Sequence, residues 1–193
     1  MDSIAVFCAS SAGKKPVYRE RAYAFGKYLA DLKKRLVFGG SQLGLMGAVA
    51  DGVLENGGEV IGVLPRFMSD KEIAHHGLTE LIMVDSMHER KLKMHELSNG
   101  VVTLPGGFGT FEELFEMLTW AQLDLHKKPI GILNIEGYYD HLKKMIRHML
   151  SEGLLKPEYE SLLVFSSNQE ELIKQMDSRG FNQEDKTLAR KRS

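Results

Sequence analysis

Short continuous apolar runs alternate along this chain with longer stretches in which apolar residues recur every three or four positions. The runs fall at 4–9, 35–38, 59–64, 81–84, 101–104, 130–134 and 162–165. A short unbroken apolar run suits a strand buried on both faces. Between them, Tyr18, Ala22, Phe25, Leu29 and Leu32 mark a helix over 16–34, and Leu142, Met145, Ile146 and Met149 mark another over 138–151. A helix after 41 carries small residues, Gly47, Ala48, Ala50 and Gly52, and Asn56-Gly57-Gly58 stops it. Further helices are predicted from Ser86, from Thr110 to about 124, and over 168–176. Strand and helix alternating through short turns predict parallel strands with right-handed crossovers. The expected fold is α/β: a Rossmann-like, doubly wound, mostly parallel sheet of about six to seven strands flanked by helices. Residues 1–178 form the expected single domain, and the apolar-poor tail 179–193, ending LARKRS, is expected to be disordered.

The stretch 101–118, VVTLPGGFGTFEELFEML, carries the densest signal. A strand ends at Pro105, and Gly106, Gly107 and Gly109 permit a tight turn into a helix. Such a turn presents free N–H groups and the positive end of a helix dipole, which is an anion site and most often a phosphate site. Thr110 and Glu113 read as a T-x-x-E capping box. A bare capped turn explains the same residues, and a capping Glu113 would then turn back on its own helix. Other turns at the same sheet edge add candidates. Ser10 and Ser11 follow the first strand and can bond a phosphate or ribose, or simply make a turn. Gly39-Gly40 follows the second strand. Residues 66–80 read as irregular, with a short helical piece at 71–74, and Glu72 there could face a pocket or solvent.

The helix from Ser86, with Glu89 completing a second box, reads MHERKLKMHELS. On a helix, Met87, Arg90, Lys91, Met94, Leu97 and Ser98 share one face. Cations on an apolar stripe are costly unless neutralised. Arg90 therefore pairs with a buried carboxylate, lines a pocket for an anion, or snorkels to water.

Composition narrows the reading. The 193 residues are 43% hydrophobic and 26% charged, as in an ordinary soluble globule. A net charge of −1 gives no electrostatic case for nucleic acid or an anionic membrane. The N-terminus reads as neither signal peptide nor membrane span, and the single Cys8 points to a reducing cytoplasm. Cys8 itself lies in an apolar strand and reads as core. Seven histidines form no H-E-x-x-H pattern, so no metal and no cofactor is expected. There is no Walker lysine, no G-x-G-x-x-G and no G-x-S-x-G elbow.

The motifs MHERK (87–91), PGGFGTFEE (105–113) and GGSQLGLMG (39–47) together resemble the LOG (Lonely Guy) family of cytokinin riboside 5'-monophosphate phosphoribohydrolases, whose bacterial members have carried a "lysine decarboxylase-like" label. The resemblance runs from residue 4 to about 176. It implies hydrolysis of the N-glycosidic bond of AMP or an N6-substituted AMP, giving free base and ribose 5-phosphate, by a homodimer with sites near its interface. It implies Arg90 and Glu113 as the catalytic pair. Glu72, Lys91, Gly107, Phe108, Gly109, Thr110, Phe111, Glu112 and Thr119 match its substrate-contacting positions. Ser10 and Gly40 join them from the turn reading. Glu113 would stabilise an oxocarbenium-like ribose, and Arg90 would keep Glu113 charged, contact the departing base, or both. No lysine stands in a context that marks a pyridoxal Schiff base. A non-catalytic carrier of a nucleotide or phosphorylated cofactor is the alternative on the same fold.

Overall fold

The computed structural model describes residues 1–68 and 74–190, with the backbone alone from residue 180. The apolar runs form strands β1 (Ser3–Phe7), β2 (Arg35–Phe38), β3 (Val60–Pro65), β4 (Glu80–Val84), β5 (Gly100–Thr103), β6 (Ile130–Leu133) and β7 (Leu163–Ser166). The helices between them are α1 (Pro16–Asp31), α2 (Gly44–Leu54), α3 (Met87–Glu96), α4 (Phe108–Gln122), α5 (Asp140–Ser151) and α6 (Gln169–Arg190). Among the described residues the strands make one seven-stranded sheet in the order β4–β3–β2–β1–β5–β6–β7. Every neighbouring pair is parallel. This is the expected Rossmann-like α/β fold, with its strand count at the upper end of the expected range.

Side chains on successive strand positions point to opposite faces, so the sheet feeds two cores. Ile4, Val6, Leu36, Phe38, Val102 and Leu104 pack with α1, α2 and the Leu172, Ile173 and Met176 stripe of α6. Ala5, Phe7, Val37, Val63, Val101 and Ile132 pack with Met94 of α3, Leu114 and Met117 of α4, and Leu142 of α5. The small residues of α2 serve a close crossing with α1: a Cβ on Gly26 would stand 2.1 Å from the Val49 carbonyl oxygen, and one on Gly52 2.2 Å from that of Tyr23.

The winding reverses at β1. The chain moves outward from β1 through β2 and β3 to β4, then returns to place β5 on the other side of β1. Loops at the carboxyl ends of β1 and β5 therefore diverge to opposite faces, leaving the crevice in which open α/β sheets bind ligands.

Residues 69–73, and with them Glu72 and most of the helical piece expected at 71–74, lie outside the described residues. Ala74 makes an antiparallel bridge with Ser41 and is not helical. The expected domain boundary at 178 falls within α6, and residues 191–193 lie outside the described residues. Among the described residues no helix is long and apolar enough to cross a membrane.

Candidate active site

A cavity of about 390 Å³ opens at the β1–β5 crevice. Its lining includes Ser10 and Ser11 after β1, Arg90 of α3, and Gly107, Phe108, Gly109, Thr110, Glu112 and Glu113 at the start of α4. The volume lies within the range of small-molecule sites.

The Gly-rich turn enters α4 earlier than the capping box predicts. Gly107, in extended conformation, occupies the N-cap position, and Phe108 is the first helical residue. Thr110 thus lies inside the first turn, buried and folded over Gly106; its side chain does not cap the helix. The local T-x-x-E pattern loses to the glycine pair, which lets the chain begin the helix three residues sooner. Two consequences follow. The amides of the first turn have no carbonyl a turn earlier to bind, so they are available to a ligand. Glu113 is then the sixth helical residue and not the third.

The second Gly-rich turn is used differently. The amides of Leu45 and Met46, in the first turn of α2, both donate to the Ala9 carbonyl, at 3.0 and 3.2 Å. That helix start anchors the loop after β1. On α3, by contrast, the expected cap forms: Ser86 Oγ accepts from the Glu89 amide at 3.1 Å, while Glu89 Oε2 reaches one residue past the cap and accepts from the Asp85 amide at 2.8 Å.

Arg90 is only 6% exposed and Glu113 8%. Arg90 Nε donates to the Val63 carbonyl and Nη2 to the Gly39 carbonyl, each at 3.1 Å. Nη1 then faces Glu113 Oε1 at 3.6 Å. The guanidinium is thus held by backbone at the carboxyl ends of β3 and β2, and its remaining edge is turned toward a carboxylate from α4. Of the three possibilities for Arg90, two coincide: it faces a buried carboxylate and it lines the cavity. Gly39 is part of that arrangement, because a Cβ there would stand 1.8 Å from Nη2. A buried pair of this kind is weak evidence for stability, since desolvation offsets the attraction. Its place on a cavity wall fits a chemical use better.

The other expected residues divide. Lys91 is equally buried but turns away from the cavity: its Nζ binds Glu112 at 2.5 Å and Glu116 at 3.0 Å. Burial alone would push its pKa down, but the two carboxylates outweigh that and raise it. Among the described residues no lysine lines the cavity. Phe111 packs against Phe115 and Tyr139. The Gly40 carbonyl accepts from the His75 amide. The Thr119 hydroxyl donates to the Phe115 carbonyl, and Thr119 borders a different groove, between α4 and α5. Cys8 follows β1 and lines the cavity, and burial, reinforced by Glu113, pushes its thiol pKa well up, so it stays protonated. Among the described residues no three His, Cys, Asp or Glu side chains are grouped as a metal site requires.

The sequence marked Gly39 as part of a candidate turn but gave no sign that it seats Arg90. Sequence reasoning passed over Tyr138 and Tyr139, whose hydroxyls donate to the carbonyls of Gly106 and Leu104, both at 2.7 Å. Their one signal was position, two aromatic hydroxyls just past a strand at the carboxyl edge.

The chain is similar to known proteins over most of its length. The family described as "Possible lysine decarboxylase" matches residues 46–176. Cytokinin riboside 5'-monophosphate phosphoribohydrolase LOG5 of Arabidopsis thaliana is 42% identical over 91% of this chain and 77% of its own length. The cytokinin riboside 5'-monophosphate phosphoribohydrolase of Rhodococcoides fascians is 45% identical over 84% of this chain and 82% of its own. Among solved structures, the molybdenum cofactor carrier protein of Chlamydomonas reinhardtii superposes with a TM-score of 0.66 at 22% identity, covering 92% of this chain and 96% of that one. That likeness is one of fold.

Proposed function

Because the chain belongs to the LOG family of cytokinin riboside 5'-monophosphate phosphoribohydrolases, we propose that its β1–β5 cavity hydrolyses the N-glycosidic bond of adenine-type nucleoside 5'-monophosphates. AMP and N6-substituted AMP are the substrates, and free base and ribose 5-phosphate the products. The observation that carries this reading is the convergence of three features on one cavity: the open helix start of α4, the Glu113 carboxylate and the Arg90 guanidinium.

In this reading the 5'-phosphate sits on the amides of Gly107, Phe108, Gly109 and Thr110, with Ser10 beside it. A phosphate there is stabilised by N–H groups and by the positive end of the helix dipole. The ribose then lies near Glu113. Cleavage of the glycosidic bond builds positive charge on the ribose ring. A fixed carboxylate stabilises that charge and orients the attacking water. Arg90, tied to the Val63 and Gly39 carbonyls, fixes the Glu113 head group and meets the departing base. Glu112 borders the same cavity, while Lys91 acts behind it by holding Glu112 in place.

The test is a panel of nucleoside monophosphates against nucleosides, scored for free base with EDTA present. Monophosphates should be cleaved and nucleosides spared. Glu113→Gln should lower base release roughly 10²- to 10³-fold while nucleotide still binds, a usual cost for removing one charge-stabilising group. Unimpaired turnover in that variant removes Glu113 from the chemistry. Nucleotide bound but left intact by the unaltered protein would instead support a carrier.

The proposal includes a cytoplasmic homodimer. Phe115, Leu123, Leu125 and Met145 leave apolar surface exposed on the α4–α5 side, next to the groove that Thr119 borders. A partner docked there would bring its Thr119 toward this site, which accounts for Thr119 lying outside the cavity of its own chain. Light scattering should give about twice the 21.7 kDa chain mass; a monomer at working concentration refutes the dimer.

A further inference from the structure

Three consecutive carbonyls at the turn between β5 and α4 are each held by a group from elsewhere in the fold. The Leu104 carbonyl accepts from Tyr139 Oη at 2.7 Å, the Pro105 carbonyl from the Ala9 amide at 3.1 Å, and the Gly106 carbonyl from Tyr138 Oη at 2.7 Å. A trans peptide is planar, so its C=O and N–H point in opposite directions. Fixing a carbonyl therefore aims the next residue's amide. At Leu104 the next residue is Pro105, which has no N–H. At Gly106 the next residue is Gly107, the N-cap residue of α4 and part of the cavity wall.

We propose that Tyr138 is a positioning residue for phosphate: by holding the Gly106 carbonyl, its hydroxyl aims the Gly107 amide at the 5'-phosphate of the substrate. The inference rests on α4 being the phosphate cradle. Glycines on both sides of the 106–107 peptide leave it free to rotate, so the turn needs an external tie to keep one orientation. The tie is itself braced. The Tyr138 ring packs edge-on against Tyr139, with centroids 4.9 Å apart, and against Tyr18 at the start of α1, with centroids 5.9 Å apart. Tyr138 thus joins the β6–α5 loop to α1. Tyr139 is fully buried and serves the core, whereas Tyr138 is 40% exposed. That difference lets the Tyr138 hydroxyl be removed without opening a core cavity.

The experiment compares the unaltered protein with Tyr138→Phe, which keeps the ring contacts and removes only the hydroxyl. Ribose 5-phosphate and adenine are the probes, each titrated by calorimetry, alongside steady-state release of base from AMP. Tyr138→Phe should weaken ribose 5-phosphate roughly fivefold to tenfold, the range of one lost hydrogen bond. Adenine binding should be unchanged, KM for AMP should rise by a similar factor, and kcat should stay within about twofold. Equal weakening of adenine and ribose 5-phosphate would mean general loosening and overturn the assignment. So would unchanged ribose 5-phosphate affinity, or a fall in kcat at constant KM. Unaltered protein that binds ribose 5-phosphate yet releases no base refutes the hydrolase reading alone. The two affinity ratios then still decide the role of Tyr138.

Discussion

Gly39→Ala sets a methyl group where the Arg90 guanidinium lies. The added Cβ would stand 1.8 Å from Nη2, 3.0 Å from Cζ and 3.0 Å from Met46 Sδ. Restoring ordinary contact requires the guanidinium to retreat by about 1.5 Å. Its hydrogen bond to the Gly39 carbonyl begins at 3.1 Å and its separation from Glu113 at 3.6 Å, so such a retreat disrupts both. A displacement of this size at a reacting centre costs roughly 10²-fold in rate. Overpacking should cost about 1–3 kcal/mol of stability, several degrees in melting temperature for a chain of this size. The assay is chromatographic release of adenine from AMP at 25 °C, well below unfolding. A double variant separates the cause: with Arg90→Ala in place the methyl group has nothing charged to displace. Gly39→Ala/Arg90→Ala should then be no slower than Arg90→Ala alone, a strong departure from additivity. Wild-type kcat/KM in Gly39→Ala, or full additivity in the double variant, would refute the claim that Gly39 acts by seating Arg90.

Two further outcomes are expected. The His126 ring uses both nitrogens, with Nδ1 accepting from the Lys128 amide and Nε2 donating to the Met117 carbonyl, so it is neutral in the fold. Burial is the main cause that lowers its pKa. The neighbouring His95 is pushed down to about 4, by burial first and then by Lys128 and His126. The unfolded chain therefore binds more protons than the fold once pH drops below about 6.5, and stability falls from there toward pH 4. Melting temperature should decline from pH 7 to 5, and His95→Phe should flatten the decline; a flat profile in the unaltered protein counts against this. Ser86→Ala removes the acceptor of the Glu89 amide and should cost about 1 kcal/mol, or about 2–4 °C. Its activity should hold, because backbone carbonyls seat Arg90; a large loss of turnover contradicts that.

Much of the site was legible because its parts are local. Helical spacing put Arg90 on an apolar face where a partner was needed, and the PGGFGT turn announced a helix start. Four things were not legible in that way. Arg90 and Lys91 shared one predicted face, but consecutive helix residues are about 100° apart, so they diverge: one reaches Glu113, the other Glu112 and Glu116. Thr110 offered a valid cap, and only the backbone path through Gly106 and Gly107 shows that the helix starts before it. Handedness rules fixed each crossover but not the side on which β5 joins β1, and that choice creates the crevice. The ties from Tyr138, Tyr139 and Ala9 to the Gly-rich turn span long sequence separations and leave no periodic trace.

The two Gly-rich helix starts differ in one respect that bears on nucleotide choice. Two first-turn amides of α2 are already committed to Ala9, and the first turn of α4 keeps its own open. The crevice thus offers one vacant berth for a phosphoryl group where two look possible from the glycines. A nucleotide bearing one phosphate fills that berth. Under the proposed reading, the outer phosphates of a di- or triphosphate would find the α2 amides already engaged, so a monophosphate is the form this crevice is expected to favour.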